Sequence, residues 1–344
     1  MTKAPRLVVR ADASPQIGLG HVVRSLALAE LVGPLFAEAV LLTQAPSAAV
    51  HQLAAAAGLG VVELPAQGPQ AEAAQLPAHL RPADVVVLDG YGFDEAYQVA
   101  VRATGARLVL VDDLADSPTV ADLVINHGPA VRVADYRALP TTRFCLGPAF
   151  SLLRAPFRAQ QRLPEAVPAI VSSVLVCFGG ADPLGLTHRA LGALLALPQV
   201  ARVGVVIGSA FTAGTELRAL AAGFAGKDVA FYHDVPAAEL AALLLGYAAA
   251  VVPASTVLLE TLLLGGAAIT GYYADNQRPL AAYVHAHQQA FSMGNLGTLD
   301  GDALRDALLA GLQFHQTTRR QPYVERLRPE QLVDEFQRLI RGPR

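Results

Sequence analysis

The chain has no tryptophan, two cysteines and two methionines among 344 residues, and only 16% of it is charged. Cys145 and Cys177 both sit inside apolar runs, so a disulfide framework or a thiolate metal site has no support and both read as small core residues. Only Lys3 and Lys227 are lysines among 26 basic residues; the net charge is -3 and the pI about 6.3. That balance offers no basic footprint for nucleic acid. Mean hydropathy is +0.38, yet every apolar stretch is broken by Gly, Pro or a charge before the ~18 to 20 residues a membrane span needs. No transmembrane helix is expected. The start MTKAPRLVVRAD runs straight into a strand pattern, which leaves no room for a signal peptide and makes the cytoplasm the expected location.

A hydrophobic fraction of 53% over this length can bury a large core and suggests about two domains. Short β-rich runs alternate with longer Ala/Leu segments of helical period, which predicts βαβ units and parallel sheets. Strands are expected at 6–12, 39–43, 60–64, 84–90, 107–113 and 122–127, then at 172–180, 202–208, 229–234, 249–255 and 267–273. These runs are apolar on both faces, the pattern of a doubly wound sheet covered by helices. The expected fold class is α/β, with two Rossmann-like doubly wound parallel-sheet lobes and ligands in an interdomain cleft at the strand carboxyl ends. The lobes are expected at 1–160 and 172–313, with a linker at 161–171 around QQRLPEAVPAI and a helical tail at 314–344.

GLGHVVRSLALAE, residues 18–30, places Gly18 and Gly20 between a strand and a helix that opens with His21. The third glycine of a dinucleotide fingerprint is missing and no lysine follows Gly20, so neither NAD binding nor a P-loop is indicated. A helix N-terminus carries about half a positive charge and favours neutral imidazole, which makes His21 a usable base. Arg24 lies on the same helical face, placed to hold an anionic group of a substrate. A glycine turn that merely packs strand on helix explains the stretch about as well. Other strand ends add weight, because Arg10, Asp12, Ser14, Asp89, Tyr91, Asp112, Asp113, Asn126 and His127 gather on one rim. Capping or turn roles are favoured for Asp94, Asp113 and Asp116. The carboxylate spacing matches no metal loop, so no metal and no cofactor are expected.

In the second half, Gly179 and Gly180 end a strand in CFGGADPLGLTHRALGALL, where backbone amides can meet phosphate. VVPASTVLLETLLLGG starts a helix at Ser255 and Thr256 with Glu260 one turn deeper, an arrangement that suits a diphosphate and a ribose. Helix capping explains Ser255 or Thr256 equally well. Asp275, Asn276 and Gln277 add donors and acceptors after the next strand.

Taken in order, Arg10–Ser14, Ile17–His21 with Arg24, Asp89-Gly90-Tyr91, Val111–Asp116, Leu146-Gly147-Pro148 with Leu152-Leu153-Arg154, Gly179–Pro183, Ser255-Thr256 with Glu260 and Asp275-Asn276-Gln277 resemble one family. It is the UDP-2,4-diacetamido-2,4,6-trideoxy-β-L-altropyranose hydrolases of pseudaminic acid synthesis, similar in fold to GT-B glycosyltransferases. The resemblance covers about residues 6 to 300. It departs at Pro253-Ala254, Gly185, Gly90 and Asn126-His127-Gly128, which bears on phosphate approach and sugar choice. The resemblance implies an amino-terminal sugar lobe, a carboxy-terminal UDP lobe and metal-free hydrolysis of a UDP-sugar with anomeric inversion. His21 would activate water; Arg10, Asp12, Ser14, Gly18, Gly20, Arg24, Asp89, Tyr91, Arg154, Asn276 and Gln277 would serve the sugar side. Gly179, Gly180, Ser255, Thr256 and Glu260 would hold UDP. The alternatives are a GT-B glycosyltransferase, whose base deprotonates an acceptor hydroxyl, and a noncatalytic nucleotide-sugar binding protein. A membrane-acceptor transferase favours a basic, apolar first lobe, which the net charge does not advertise; peripheral membrane contact stays open.

Overall fold

Period-two burial builds the first sheet. In the computed structural model, which describes residues 5–14, 18–179, 182, 184–208, 211, 213–324 and 326–342, the first seven strands are β1 (Arg6–Ala11), β2 (Glu38–Gln44), β3 (Gly60–Leu64), β4 (Val85–Asp89), β5 (Arg107–Val111), β6 (Leu123–Asn126) and β7 (Arg143–Leu146). Leu7, Val9, Leu41, Val85, Val87 and Val109 pack into the core on one face, and Val8, Val40, Leu42, Val86, Leu88 and Leu108 into the core on the other. Both faces are therefore dry, which is why these strands lack polar alternation. All pairings are parallel in the order β3-β2-β1-β4-β5-β6-β7. A second parallel sheet comprises β8 (Ser173–Cys177), β9 (Arg202–Ile207), β10 (Asp228–His233), β11 (Ala249–Pro253), β12 (Ala268–Tyr272) and β13 (Phe291–Asn295), in the order β10-β9-β8-β11-β12-β13. Both sheets are doubly wound.

β7 and β13 were not expected from the sequence. RFCL is four residues long and FSMGN is half polar, so neither carries the continuous apolar run by which the other strands are read. Each closes one edge of its sheet by pairing with an apolar neighbour.

By internal contacts the chain divides into Met1–Arg154 with Arg326–Arg344, and Ala155–Glu325. The terminal segment is thus no separate tail. Its last helix, Pro329–Arg341, returns to the first unit and buries Leu332, Phe336 and Leu339 in the core that also holds helix Gly20–Val32. Phe336 is fully buried and meets Phe36 edge to face, a burial that contributes about 2–3 kcal/mol. QQRLPEAVPAI docks on the second unit: the Arg162 N–H donates to the Leu263 carbonyl, and Arg320 donates to the carbonyl of Glu165. Among the described residues no helix is long and apolar enough to cross a membrane. Cys145 and Cys177 are buried and form no disulfide.

His315 makes the second unit acid-sensitive. It is 3% exposed on helix Gly301–Thr317, with Nε2 2.9 Å from the Ala268 carbonyl oxygen. Burial outweighs that hydrogen bond and lowers its pKa to about 4. The unfolded chain titrates near 6.5, so between these values it binds more protons than the folded one and stability falls with pH. The contribution is intact above about pH 6.5 and is lost by about pH 4, a difference on the order of 3 kcal/mol. Urea midpoints at pH 7 and pH 5 should differ less for His315→Gln than for the wild type; an unchanged gap would refute the assignment.

Candidate functional site

Strand register assembles the site. The winding of the first sheet reverses between β1 and β4, the place where an open parallel sheet leaves a crevice at its carboxyl end. Ala11 pairs with Asp89 and Asp89 with Val111, so Asp12, Asp89 and Asp112-Asp113 leave three adjacent strands at one level. Gly18 takes φ +73°, which glycine adopts without Cβ strain, and its N–H donates to the Ser14 carbonyl at 2.8 Å. Helix Gly20–Val32 follows, with His21 as its second residue.

His21 is 8% exposed, and its Nδ1 lies 2.7 Å from Asp89 Oδ1. Asp89 is fully buried and also accepts from Arg24 Nε at 2.8 Å, Arg24 Nη2 at 2.6 Å and the Ser25 hydroxyl at 2.8 Å. Burial pushes the Asp89 pKa up, but the charge and hydrogen bonds of Arg24, followed by the His21 bond, outweigh it and hold the carboxyl below its ordinary range. An ionised carboxylate only accepts. The proton of neutral His21 therefore sits on Nδ1, and Nε2 keeps its lone pair. Arg24 Nη2 also lies 3.1 Å from His21 Nδ1. With both nitrogens protonated this is proximity imposed by the shared carboxylate, not a bond.

Arg24 continues the network by donating from Nη1 to Asp113 Oδ1 at 2.6 Å, and the Tyr91 hydroxyl donates to Asp113 Oδ2 at 3.1 Å. The Tyr91 and His21 rings meet edge to face at 4.9 Å. Burial pushes the Asp113 pKa up and Arg24 overrules it, leaving the carboxyl far below its usual range. One sequence expectation changes here and another is extended. Arg24 is 7% exposed and spends its donors on Asp89 and Asp113, so it is not placed to hold an anionic substrate group. Asp113, favoured as a turn residue, sits in a bend and also pairs with Arg24, whereas Asp94 caps helix Glu95–Ala103 by accepting from the Tyr97 N–H at 2.9 Å.

A second buried pair adjoins the first. Arg10, 2% exposed, grips Glu72 through Nε at 2.6 Å and Nη2 at 2.8 Å, and reaches Asp12 Oδ1 from Nη1 at 2.5 Å. Glu72 also accepts from the Tyr97 hydroxyl at 2.5 Å and from Gln44 Nε2. Its pKa is pushed up by burial and pulled lower overall by Arg10 and Tyr97. Arg10 thus acts through Asp12. Glu72, Ser25, Gln44 and Tyr97 were missed from the sequence. One signal was available: an arginine inside the apolar strand RLVVRAD demands a buried counter-ion, and Glu72 is the sole acid in PQAEAAQLPAH.

Arg154 is half-buried at the end of the first unit's main segment. In the second unit the sheet reverses between β8 and β11. Gly179 follows β8 with φ +88°, while Gly180 lies outside the described residues. The Asp182 carboxylate accepts from the amides of Leu186 at 2.8 Å and Thr187 at 2.6 Å, so these amides of helix Leu186–Leu195 are already occupied. Ser255 stands at the N-cap of helix Thr256–Leu263 without a side-chain capping bond, and both Ser255 and Thr256 are partly exposed. Glu260 has no exposed surface and interacts within the protein, so a ribose reaches it only if this side chain turns outward. Asn276 is exposed and Gln277 half-buried in the turn after β12, where Gln277 Oε1 accepts from the Tyr273 N–H at 3.1 Å. No group of three or more His, Cys, Asp or Glu that could hold a metal occurs among the described residues.

No family model matches the chain. It is 25% identical over 281 residues to an uncharacterized protein of Methanocaldococcus jannaschii, a match that covers 79% of this chain and 57% of that protein's length. Among solved structures it is similar to MurG of Acinetobacter baumannii, with a TM-score of 0.63, 16% identity and coverage of 97% of this chain and 100% of that one. It is also similar to S. aureus MnaA solved with UDP, at TM-score 0.59, 8% identity and coverage of 97% and 96%. A third likeness is to Arabidopsis thaliana UGT89C1 complexed with UDP-L-rhamnose, at TM-score 0.58, 14% identity and coverage of 99% of both chains. The fold is GT-B-like: two Rossmann-like lobes, each built on a parallel sheet.

Proposed function

We propose that this chain is an enzyme that hydrolyses a UDP-sugar, with His21 as the general base. The observation that carries the reading is the buried Arg24–Asp89–His21 chain at the reversal point of the first sheet, which fixes the imidazole with Nδ1–H inward and Nε2 as an acceptor. A binding protein needs no such base. UDP bound in the S. aureus MnaA structure and UDP-L-rhamnose in the Arabidopsis one support the choice of ligand. In this reading the second unit holds the nucleotide through Gly179, Gly180, Ser255 and Thr256, with Glu260 turning to the ribose. Asp12, Tyr91, Asn276 and Gln277 orient the sugar, for which the sequence resemblance points to a 2,4-diacetamido-2,4,6-trideoxyhexose.

His21 Nε2 takes a proton from water as the water oxygen bonds to the anomeric carbon. The bond from that carbon to the β-phosphate oxygen breaks, and UDP leaves with the electron pair. Asp89 stabilises the imidazolium so formed, and amides at the Thr256 helix start stabilise the leaving diphosphate. The rival reading is transfer to an acceptor hydroxyl, in which the same base deprotonates the acceptor instead of water.

The test is incubation of the full chain with a UDP-2,4-diacetamido-trideoxyhexose in buffer alone. Steady multiple-turnover UDP release is expected, unaffected by EDTA, with the freed sugar first appearing as the opposite anomer in proton NMR before mutarotation. Release only on adding an acceptor would establish transfer. Retention would redirect the chemistry to a covalent intermediate on Asp12.

A further inference from the structure

Charge is one-sided at the carboxyl ends of β1 to β5, whereas Arg132, Arg137 and Arg154 follow β6 and β7. The segments that follow β1 to β5, residues 12–19, 45–47, 65–68, 90–94 and 112–121, contain Asp12, Asp94, Asp112, Asp113 and Asp116 and neither lysine nor arginine. The two cations that reach the rim from within regular elements are both matched inward. Arg10 faces Glu72 and Asp12, and Arg24 faces Asp89 and Asp113, so each cluster retains an excess negative charge. Asp112 is held by neutral donors, among them the Tyr136 hydroxyl at 2.7 Å and the Ala115 N–H at 2.8 Å, which leave its charge uncompensated. Burial, reinforced by the Arg24 charge, lowers the pKa of His127 to about 4, so it adds no positive charge at neutral pH.

Asp12 is the open member of this set. Its Oδ1 accepts from Arg10 Nη1 at 2.5 Å, the Thr43 hydroxyl at 3.2 Å and the Gln44 N–H at 2.8 Å, which together fix the carboxylate plane. Its Oδ2 makes no hydrogen bond among the described residues, and a third of the side chain is exposed, at 33%. A carboxylate oxygen without an internal partner on a partly exposed side chain accepts from a hydroxyl, an amide N–H or an ammonium and disfavours an anion.

We infer that the first unit accepts only sugars with neutral or amine-bearing substituents, that it excludes sugars bearing a carboxylate or a further phosphate, and that Asp12 sets this selectivity through Oδ2, the oxygen its internal partners leave open. The inference rests on the proposal that this unit handles the sugar of a UDP-sugar. It deepens that proposal by assigning the choice of sugar charge to a residue of the first unit, since nothing about a GT-B-like fold dictates it.

Calorimetry of the full chain at low salt with UDP, UDP-glucose and UDP-glucuronate tests it, because the last two differ only in a hydroxymethyl against a carboxylate. UDP-glucuronate is expected to bind at least about tenfold more weakly than UDP-glucose, and Asp12→Asn to shrink that gap to under about threefold. Equal or tighter binding of UDP-glucuronate, with UDP itself binding, overturns the charge rule and leaves the nucleotide reading standing. A gap that persists in Asp12→Asn overturns the role of Asp12. Failure of UDP to bind overturns the functional reading and the inference together.

Discussion

His21→Asn is expected to lower UDP release by about 10² to 10⁴-fold while UDP affinity stays within about threefold. Asparagine is chosen because its amide can still donate to Asp89, which keeps a donor on a carboxylate that has no access to water. What the substitution removes is the lone pair on Nε2, the only feature of His21 that the proposed reaction uses. UDP is assigned to the second unit, so its binding should not register the change. Steady-state UDP release and calorimetric titration with UDP, measured on the same folded variant, separate the two effects. Equal collapse of both would take His21 out of the catalytic role.

Arg24→Met is expected to cost about 3–5 kcal/mol of stability, because it strands a buried carboxylate that had depended on a bidentate cation. Asp89 would keep only His21 and Ser25, and Asp113 only the Tyr91 hydroxyl, among the partners described above. The double variant Arg24→Met/Asp89→Asn should cost less than the sum of the singles, since removing the acid removes the stranded charge. The pH dependence has a definite sign. Asp89 and Asp113 are held below their ordinary range in the folded protein, whereas in the unfolded chain they titrate near 3.9. Their contribution is therefore present above about pH 4 and is lost as pH falls through the lower folded values. Urea unfolding at pH 7 and pH 3.5 should show a smaller acid loss in Arg24→Met than in the wild type. A cost under about 1 kcal/mol at pH 7 would show that the network is solvent-screened and not structural.

The site was half legible before folding. Asp12, Asp89 and Tyr91 could be picked out because each ends or follows a strand, and His21 because it opens a helix just after Gly18 and Gly20; both are local features of the sequence. Arg24 was singled out for the right helical face and given the wrong partner: the spacing of three residues places it beside His21, but nothing in that spacing reveals Asp89, 65 residues away. Asp113 was read as a turn residue because an Asp after a strand usually is one, and its ion pair with Arg24 spans 89 residues. In the second unit, the Ser255 side chain makes no capping bond to its own helix, while Glu260 is fully buried.

By itself the sequence determined the alternation of buried strands with helices, the doubly wound parallel class and the positions at which polar residues leave the strands. Those properties follow from side-chain period and turn chemistry over a dozen residues or fewer. The tertiary structure alone decided which charges meet, that the last helix returns to cover the first sheet, and that β7 and β13 close the sheet edges. Each of these depends on strand register and on apolar faces seeking cover far along the chain. Arg10 finds Glu72 across 62 residues because β1 and the Pro69–His79 helix are brought together by packing. Once buried, a guanidinium must be matched by a carboxylate wherever the fold places one.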